Sequence, residues 1–214
     1  MNVSIRSERP EDVCIVEALT REAFWDLHVP GCSEHLVARQ LRDSREFLPG
    51  LDLVAEADGR IVGSILFSQS RVIGSNGEQF ETVTFGPVSV LPECQRQGVG
   101  RALIERGIAL AREQGHSAVI IFGNPAYYQK YGFRAGRAFD IRTADGKYAA
   151  ALQVLPLFLG ALDGVCGRFL ESEAFEVDPA HLEAFDQLFP PREKRVLPSQ
   201  AEFLKIASMI EDAP

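Results

Sequence analysis

The sequence contains few cysteines, and their spacing is that of neither a metal centre nor a redox pair. The 214 residues include four of them, Cys14, Cys32, Cys94 and Cys166, which lie far apart and form no Cys-x-x-Cys pair. We therefore expect no metal site. Scattered cysteines of this kind suit a reducing compartment, so we expect the protein to be cytoplasmic.

The sequence also lacks long apolar runs and an excess of positive charge. Its longest apolar stretches, such as residues 149–162, are short and interrupted, so we expect no transmembrane helix and no membrane partner. Residues 1–6 do not show the basic and apolar regions of a signal peptide. With 22 Lys and Arg against 30 Asp and Glu, the net charge is −8, and we expect no nucleic-acid partner because there is no basic stripe.

The composition that is present is that of an ordinary globular protein, with 46% hydrophobic and 24% charged residues. The length favours one domain with an appendage. We place the domain over residues 1–177 and a helical C-terminal extension over residues 178–214. The extension packs on the same domain or at the interface of a homodimer, and the sequence leaves both open.

Local signals predict the order of strands and helices. Asp58-Gly59 is a hairpin signal, and Ser199 with Glu202 has the spacing of a capping box. The predicted strands cover residues 3–7, 51–57, 60–72, 80–90 and 148–157, with a further one near 167–169. The predicted helices cover residues 10–24, about 34–46, 98–114, and two more after residues 178 and 199.

Residues 90–101 predict an anion cradle between a strand and a helix. Pro92 ends the strand, and Gly98 and Gly100 stand where the helical pattern begins. The first backbone amides of a helix have no partner inside it, and they point out of its positive end. Glycine there removes the side chains that would hold a phosphate away. A P-loop is excluded because Arg101 stands where its lysine would be, and a dinucleotide fingerprint because position 103 is Leu103.

The pattern Val-x-Pro-x-x-Gln-x-x-Gly-x-Gly, from Val90 to Gly100, resembles motif A of the GNAT acetyltransferase superfamily. Residues 119–133, which end in Tyr-x-x-Tyr-Gly-Phe, resemble motif B of that family, and residues 5–12 are similar to its first strand and helix entry. Together these cover about residues 1–155 in the family's order. The resemblance implies an α/β (α+β) fold with a central mixed, mostly antiparallel twisted sheet. The sheet would be splayed at the acyl-CoA site and flanked by helices.

The resemblance also implies acetyl-CoA as the acyl donor, with its pyrophosphate in the cradle. The strand is expected to bind the pantetheine arm through backbone groups, and a free N–H near residues 89–91 to polarise the thioester carbonyl. Exposure to solvent explains the side chains of Gln95, Arg96 and Arg101 equally well, and Asn124 either contacts the pantetheine or caps a helix. The expected cofactor contacts are Val88, Ser89, Val90, Gln95, Arg96, Gln97, Gly98, Val99, Gly100, Arg101 and Asn124.

Tyr128 is the expected general acid. It occupies the position in motif B that serves this role in many family members. A phenol with a pKa near ~10 is protonated at neutral pH and can deliver a proton to the leaving sulfur. The alternative is that Tyr128 only packs against the cofactor.

The general base is left open by the sequence. Some family members carry a glutamate where this chain has Thr84. A chain of water molecules is one alternative, and the side chains considered in its place are Glu81, Asp26, His28, Glu34 and His35. The sequence shows no Ser-His-Asp or Cys-His pattern, so we expect direct attack without an acyl-enzyme.

The resemblance thus implies an N-acetyltransferase. It would transfer acetyl from acetyl-CoA directly to a primary amine of a small molecule or peptide, and the acidic surface favours a cationic acceptor. The alternative is a non-catalytic acyl-CoA-binding sensor, for which a general acid is not required.

Overall fold

The computed structural model describes residues 2–212 as one chain of eleven strands and six helices. The strands are β1 (Ser4–Ser7), β2 (Leu53–Ala57), β3 (Arg60–Ile73), β4 (Gln79–Val90), β5 (Ala118–Phe122), β6 (Arg134–Ala135), β7 (Ile141–Arg142), β8 (Tyr148–Ala149), β9 (Leu152–Pro156), β10 (Gly167–Leu170) and β11 (Ile210–Glu211). The helices are α1 (Val13–Phe24), α2 (Glu34–Asp43), α3 (Val99–Glu113), α4 (Pro125–Tyr128), α5 (Pro179–Asp186) and α6 (Pro198–Ala207).

Nine of the strands form one sheet. Seven of them follow the path β1-β2-β3-β4-β5-β9-β6, and the other two, β10 and β7, extend it from β3. Within residues 2–212 the pairs β4–β5 and β7–β10 are parallel and all other pairs are antiparallel. The predicted mixed, mostly antiparallel sheet flanked by helices is confirmed.

Helices cover both faces of this sheet. Successive residues of a strand point to opposite faces. The hydroxyl of Ser89 donates to Thr20 of α1 at 2.9 Å, whereas the neighbouring Val90 lies against Gly100 of α3. Thus α1 and α3 lie on opposite faces, and the main core fills the two layers between them and the sheet.

The strands β4 and β5 separate along most of their length. They share a single register pair, Val83 opposite Val119. Beyond that pair β4 continues to Val90 and β5 to Phe122 without pairing to each other. Because neighbouring strands of a sheet are joined by regular hydrogen bonds, the missing pairs mark a wedge-shaped gap.

A bulge in β4 lies beside this gap. Ile65 stands opposite Val88, but Phe67 stands opposite Phe85, so β4 holds one more residue than β3 between these pairs. The extra residue falls at Gly86 and Pro87. A bulge bends its strand and redirects the backbone groups that follow it.

Several predicted boundaries were wrong. The first helix begins at Val13 because Pro10–Asp12 form a 3-10 turn. The second ends at Asp43, where both the amide and the hydroxyl of Ser44 donate to the Leu41 carbonyl. The predicted strand over residues 148–157 is divided into β8 and β9, and β8 pairs with β11 instead of joining the main sheet.

The C-terminal extension packs on the α1–α2 region. Arg21 of α1 pairs with Asp186 of α5 at 2.7 Å, and the Trp25 indole donates to the Glu193 carbonyl at 3.0 Å. The predicted capping box was wrong, because α6 begins at Pro198 and carries no side-chain cap. Its apolar residues remain exposed; Leu204, for example, is 60% exposed. None of the helices within residues 2–212 is long and apolar enough to cross a bilayer.

Candidate functional site

The backbone of residues 96–101 forms a concave turn between β4 and α3. Arg96 and Gly98 both have positive φ, +59° and +91°, and α3 begins at Val99. Ala102 donates to the Gly98 carbonyl at 2.9 Å, but in the part of the chain that the structure describes the amides of residues 96–101 have no protein acceptor. Successive free N–H groups in such a turn form an anion-binding concavity at the positive end of a helix.

Gly98 and Gly100 of this turn differ in what their backbone and surroundings allow. The φ of Gly98 lies in the left-handed region, which other residues rarely adopt. A Cβ on Gly100 would lie 3.5 Å from Val90 Cγ2 and 3.7 Å from the Tyr127 hydroxyl, which is ordinary contact. The protein itself therefore has room for a small side chain at Gly100, and a group bound at the amides would have to share that room.

The polar side chains of the turn mostly bond to the protein. Gln95 Nε2 donates to the Val90 carbonyl at 3.1 Å, and Gln97 Nε2 donates to the Glu93 carbonyl at 2.9 Å. Arg101 pairs with Glu105 one helical turn later at 2.8 Å. Arg96 is exposed and makes no ion pair within residues 2–212. The unpaired groups of this turn are thus mainly backbone amides, and Gln95 bonds to the end of β4.

The end of β4 presents free backbone groups to the gap. Leu91 donates to the Val62 carbonyl at 2.9 Å, so its backbone points toward β3. In an antiparallel pair this direction alternates from residue to residue. The backbone groups of Ser89 therefore also face β3, and those of Val88 and Val90 face the gap. The Val90 N–H thus points into the gap, whereas the Val90 carbonyl already accepts from Gln95. The buried Ser89 side chain contacts α1 on the other face.

Tyr128 lies in the gap at the end of α4. Its ring packs against Phe85 of β4 and against Phe133, with centroid distances of 5.9 and 5.6 Å. A Cβ on Gly123 would lie 2.3 Å from Tyr128 Cε2, so the ring rests directly on the Gly123 backbone. Burial raises the pKa of Tyr128, and the neighbouring Tyr127 raises it further. The phenol is therefore protonated at neutral pH.

The residues in and around α4 also contact one another. Asn124 caps the helix, since its Oδ1 accepts from the Ala126 amide at 3.0 Å. Tyr131 donates to the hydroxyl of Tyr127 at 3.4 Å, and the ammonium of Lys130 lies 3.8 Å from the centre of the Tyr127 ring. The capping interpretation of Asn124 is the one that the contacts support.

The residues considered as a base do not form one catalytic group. Thr84 is buried opposite Ser68, and Glu81 is exposed opposite Arg71. Asp26 accepts from the amides of Gly31 at 2.7 Å and Arg195 at 3.0 Å, which ties the α1–α2 loop to the C-terminal extension.

His28 and His35, also considered as a base, contact the C-terminal extension. His28 lies 3.1 Å from Glu34 and stacks on Phe203 of α6. His35 is fully buried between Cys32 and Asp186, at 3.5 Å from the sulfur and 3.3 Å from the carboxylate. Burial raises the pKa of the Cys32 thiol and lowers the pKa of His35. A buried, neutral thiol is not a nucleophile, so this Cys-His-Asp grouping, which the sequence did not indicate, is structural.

Glu171 is the candidate that sequence reasoning missed. It follows β10 and lines a cavity of about 210 Å³ together with Phe122, the last residue of β5. Burial raises the pKa of Glu171 to about 7. A single glutamate between Leu170 and Ser172 carries no sequence signal, because its surroundings come from distant parts of the chain. Within residues 2–212 no cluster of His, Cys, Asp and Glu is arranged to hold a metal ion.

Comparison with known proteins gives one consistent family. Residues 50–135, which contain the gap and the concave turn, match the model of the acetyltransferase (GNAT) domain. The chain is 34% identical over 174 residues to YhbS of Escherichia coli K12, an uncharacterised N-acetyltransferase, with 80% of this chain and 97% of that protein covered.

Two solved structures are similar over most of the chain. The E. coli YhbS crystal structure in complex with CoA aligns with a TM-score of 0.72 at 32% identity, covering 81% of this chain and 91% of that chain. A GNAT family acetyltransferase from Brucella melitensis in complex with acetyl-CoA aligns with a TM-score of 0.66 at 29% identity, covering 82% of this chain and 99% of that chain.

Proposed function

The chain belongs to the GNAT superfamily of acetyltransferases, and from that premise we propose that it transfers acetyl from acetyl-CoA directly to a primary amine. The observation that carries this proposal is the placement of three features beside the gap between β4 and β5. These features are the free amides of residues 96–101, the open edge of β4 and the ring of Tyr128.

The donor is positioned by backbone groups. The pyrophosphate of acetyl-CoA binds the amides of residues 96–101, and its pantetheine arm pairs with the β4 edge at Val88 and Val90. The similar structures that hold CoA and acetyl-CoA support this assignment. The N–H of Val90 then donates to the thioester oxygen, where negative charge develops during attack.

Tyr128 protonates the departing sulfur. Its raised pKa keeps the phenol protonated over the whole neutral range. The amine attacks the thioester carbonyl carbon directly, the carbon–sulfur bond breaks, and the thiolate receives the phenolic proton. An acyl-enzyme is not part of this proposal, because Cys32 is held neutral in the core.

The first test is calorimetric titration with acetyl-CoA, followed by thiol release against a panel of amines. We expect micromolar binding and amine-dependent release. Binding with no release from any amine would favour a non-catalytic acyl-CoA sensor. Absence of binding would contradict the proposed function as a whole.

Tyr128→Phe removes the acid and keeps the ring. We expect turnover to fall by about 10²-fold or more, the scale of general acid catalysis, while CoA affinity changes less than about threefold. Tyr131→Phe is the matched control, since it deletes a hydroxyl that bonds to Tyr127. Equal turnover in Tyr128→Phe and the wild type would remove Tyr128 from the acid role.

A further inference from the structure

A cavity lies at the open end of the gap, on the side of the sheet that carries α1 and α2. Phe122, the last residue of β5, forms one wall. Phe175 forms another, and its ring lies 3.5 Å from where a Cβ on Gly86 would stand. Because Gly86 belongs to the bulge of β4, Phe175 places this wall of the cavity next to β4, while Phe122 belongs to β5.

The wall formed by residues 171–176 is held in place by α2. Gln40 Nε2 donates to the carbonyls of Ala174 and Glu176, both at 2.9 Å. Ser172 caps the following 3-10 turn by accepting from the Ala174 amide at 3.2 Å. These bonds fix the backbone of the wall from both ends, so the cavity does not depend on a bound ligand for its shape.

The lining combines aromatic surface with negative charge. The described lining residues include no Lys or Arg. Its aromatic members are Phe122, Phe169 and Phe175, and its acidic members are Glu171, Glu173 and Glu176. Aromatic rings bind apolar groups and attract cations at their faces, and carboxylates bind ammonium groups.

Glu171 differs from the other acids of the lining. It is partly buried, whereas Glu173 and Glu176 are exposed. Burial alone raises its pKa to about 7, and no ion pair within residues 2–212 joins it to a charged neighbour. The charged side chains on the adjoining segments include Glu173, Glu176, Glu46, Arg71, Arg168 and Asp145, which follows the lining residue Ala144.

We propose that this cavity is the acceptor site, that Glu171 is the general base, and that the acceptor is a primary amine with an apolar or aromatic substituent and no carboxylate. The proposal rests on the proposed function, because it needs a thioester bound along the β4 edge that follows the bulge. An acceptor with its own carboxylate or phosphate would meet three glutamates and no basic side chain in the lining.

The protons balance as follows. Glu171 accepts one proton from the bound ammonium and later releases it to solvent. The neutral amine nitrogen forms a bond to the thioester carbonyl carbon, and the carbon–sulfur bond breaks as the tetrahedral intermediate collapses. The nitrogen loses its second proton at that point, and this proton passes through solvent to the Tyr128 phenolate, which has given its own proton to the sulfur.

The test compares phenethylamine with phenylalanine, which differ by a carboxylate. We expect the wild type to acetylate phenethylamine with a kcat/KM at least about 10-fold higher. Glu171→Gln should lower kcat for phenethylamine about 10²-fold, with CoA affinity unchanged. The rise of kcat with pH near neutrality should be present in the wild type and absent from Glu171→Gln.

Glu183→Gln in α5 is the matched control, because it removes the same charge from an exposed side chain that does not line the cavity. We expect its kcat and pH profile to stay within about threefold of the wild type. Equal use of phenylalanine, or an unchanged rate and pH profile in Glu171→Gln, would overturn the proposal.

CoA binding distinguishes failure of the proposed acceptor site from failure of the proposed function. If acetyl-CoA binds and other amines are acetylated but phenethylamine is neither bound nor used, the acceptor site is wrong and the proposed function stands. If acetyl-CoA does not bind, the proposed function itself fails.

Discussion

Gly123 leaves room for the ring of Tyr128, because glycine has no side chain. A methyl group there would stand 2.3 Å from Cε2 and 2.6 Å from Cδ2 of that ring, far inside contact distance. The ring is also held by Phe85 and Phe133. Gly123 therefore sets the position of the phenol by allowing it to rest on the backbone.

Gly123→Ala should push the Tyr128 ring out of its position. A displacement of about 1 Å at a catalytic group costs on the order of 10²-fold in rate, so we expect a loss of that size in turnover. Gly50→Ala is the control, because its methyl would meet only the movable amide of Gln114. Retention of full turnover by Gly123→Ala would show that the ring position is not critical.

The positions of single residues were predictable where their contacts are with near neighbours in sequence. Asn124 and Tyr128 stand in a short motif, and their contacts are with residues of that motif or of the strand beside it. Glu171 was not predictable. Its burial depends on Phe122 and on a wall that Gln40 of α2 fixes across more than a hundred residues of sequence.

At the scale of elements, the start of α3 combines two electrostatic effects that can be separated. Gly100 is the second residue of the helix, where a carboxylate is favourable for helix stability by about 0.3–1 kcal/mol. The same carboxylate would repel a bound pyrophosphate across a few ångströms. Stability and donor affinity should therefore respond in opposite directions.

Gly100→Asp should weaken CoA affinity by at least about tenfold, while the melting temperature stays the same or rises slightly. Gly100→Ala is the matched control, since its methyl makes only ordinary contacts with Val90 and Tyr127. Calorimetry and thermal unfolding measure the two effects. Unchanged affinity in Gly100→Asp would place the pyrophosphate elsewhere.

The order of the main elements was predictable because hairpin turns, glycines and periodicity are local signals. The division of the late strand into β8 and β9 was not, since β8 pairs with β11 some sixty residues later. The sequence left open whether the C-terminal extension packs on the same domain or at a homodimer interface, and in α6 only Gln200 is buried.

At the scale of the whole molecule, a buried pair of carboxyl groups lies where the end of β1 meets the start of β2. Asp52 is 5% exposed and Glu8 is equally enclosed, with Arg42 bonded to Glu8 at 2.7 Å. Asp52 Oδ1 has no hydrogen-bond partner within residues 2–212. Burial, and then the charge of Glu8, raise the pKa of Asp52 to about 8.

Because the pKa of Asp52 is raised, the free energy of unfolding depends on pH in the direction opposite to that for a carboxylate whose pKa is lowered on folding. Below about pH 4 Asp52 is protonated in both the folded and the unfolded chain, so it adds no penalty. Between that pH and about 8 the unfolded chain releases the proton and the folded chain retains it, so the free energy of unfolding falls as pH rises. Above about pH 8 the penalty is complete and constant.

Asp52→Asn should remove this slope, because an amide does not titrate and can donate to Glu8. Relative to the wild type, its free energy of unfolding should rise between pH 6 and pH 8 by an amount on the order of 2 kcal/mol, measured by urea unfolding. Asp58→Asn, in the exposed hairpin turn, is the control and should show no pH-dependent difference. Glu171 titrates in the wild type and in both variants, so its contribution cancels from the comparison. Parallel curves of unfolding free energy against pH for Asp52→Asn and the wild type would mean that Asp52 is charged in the folded protein at neutral pH.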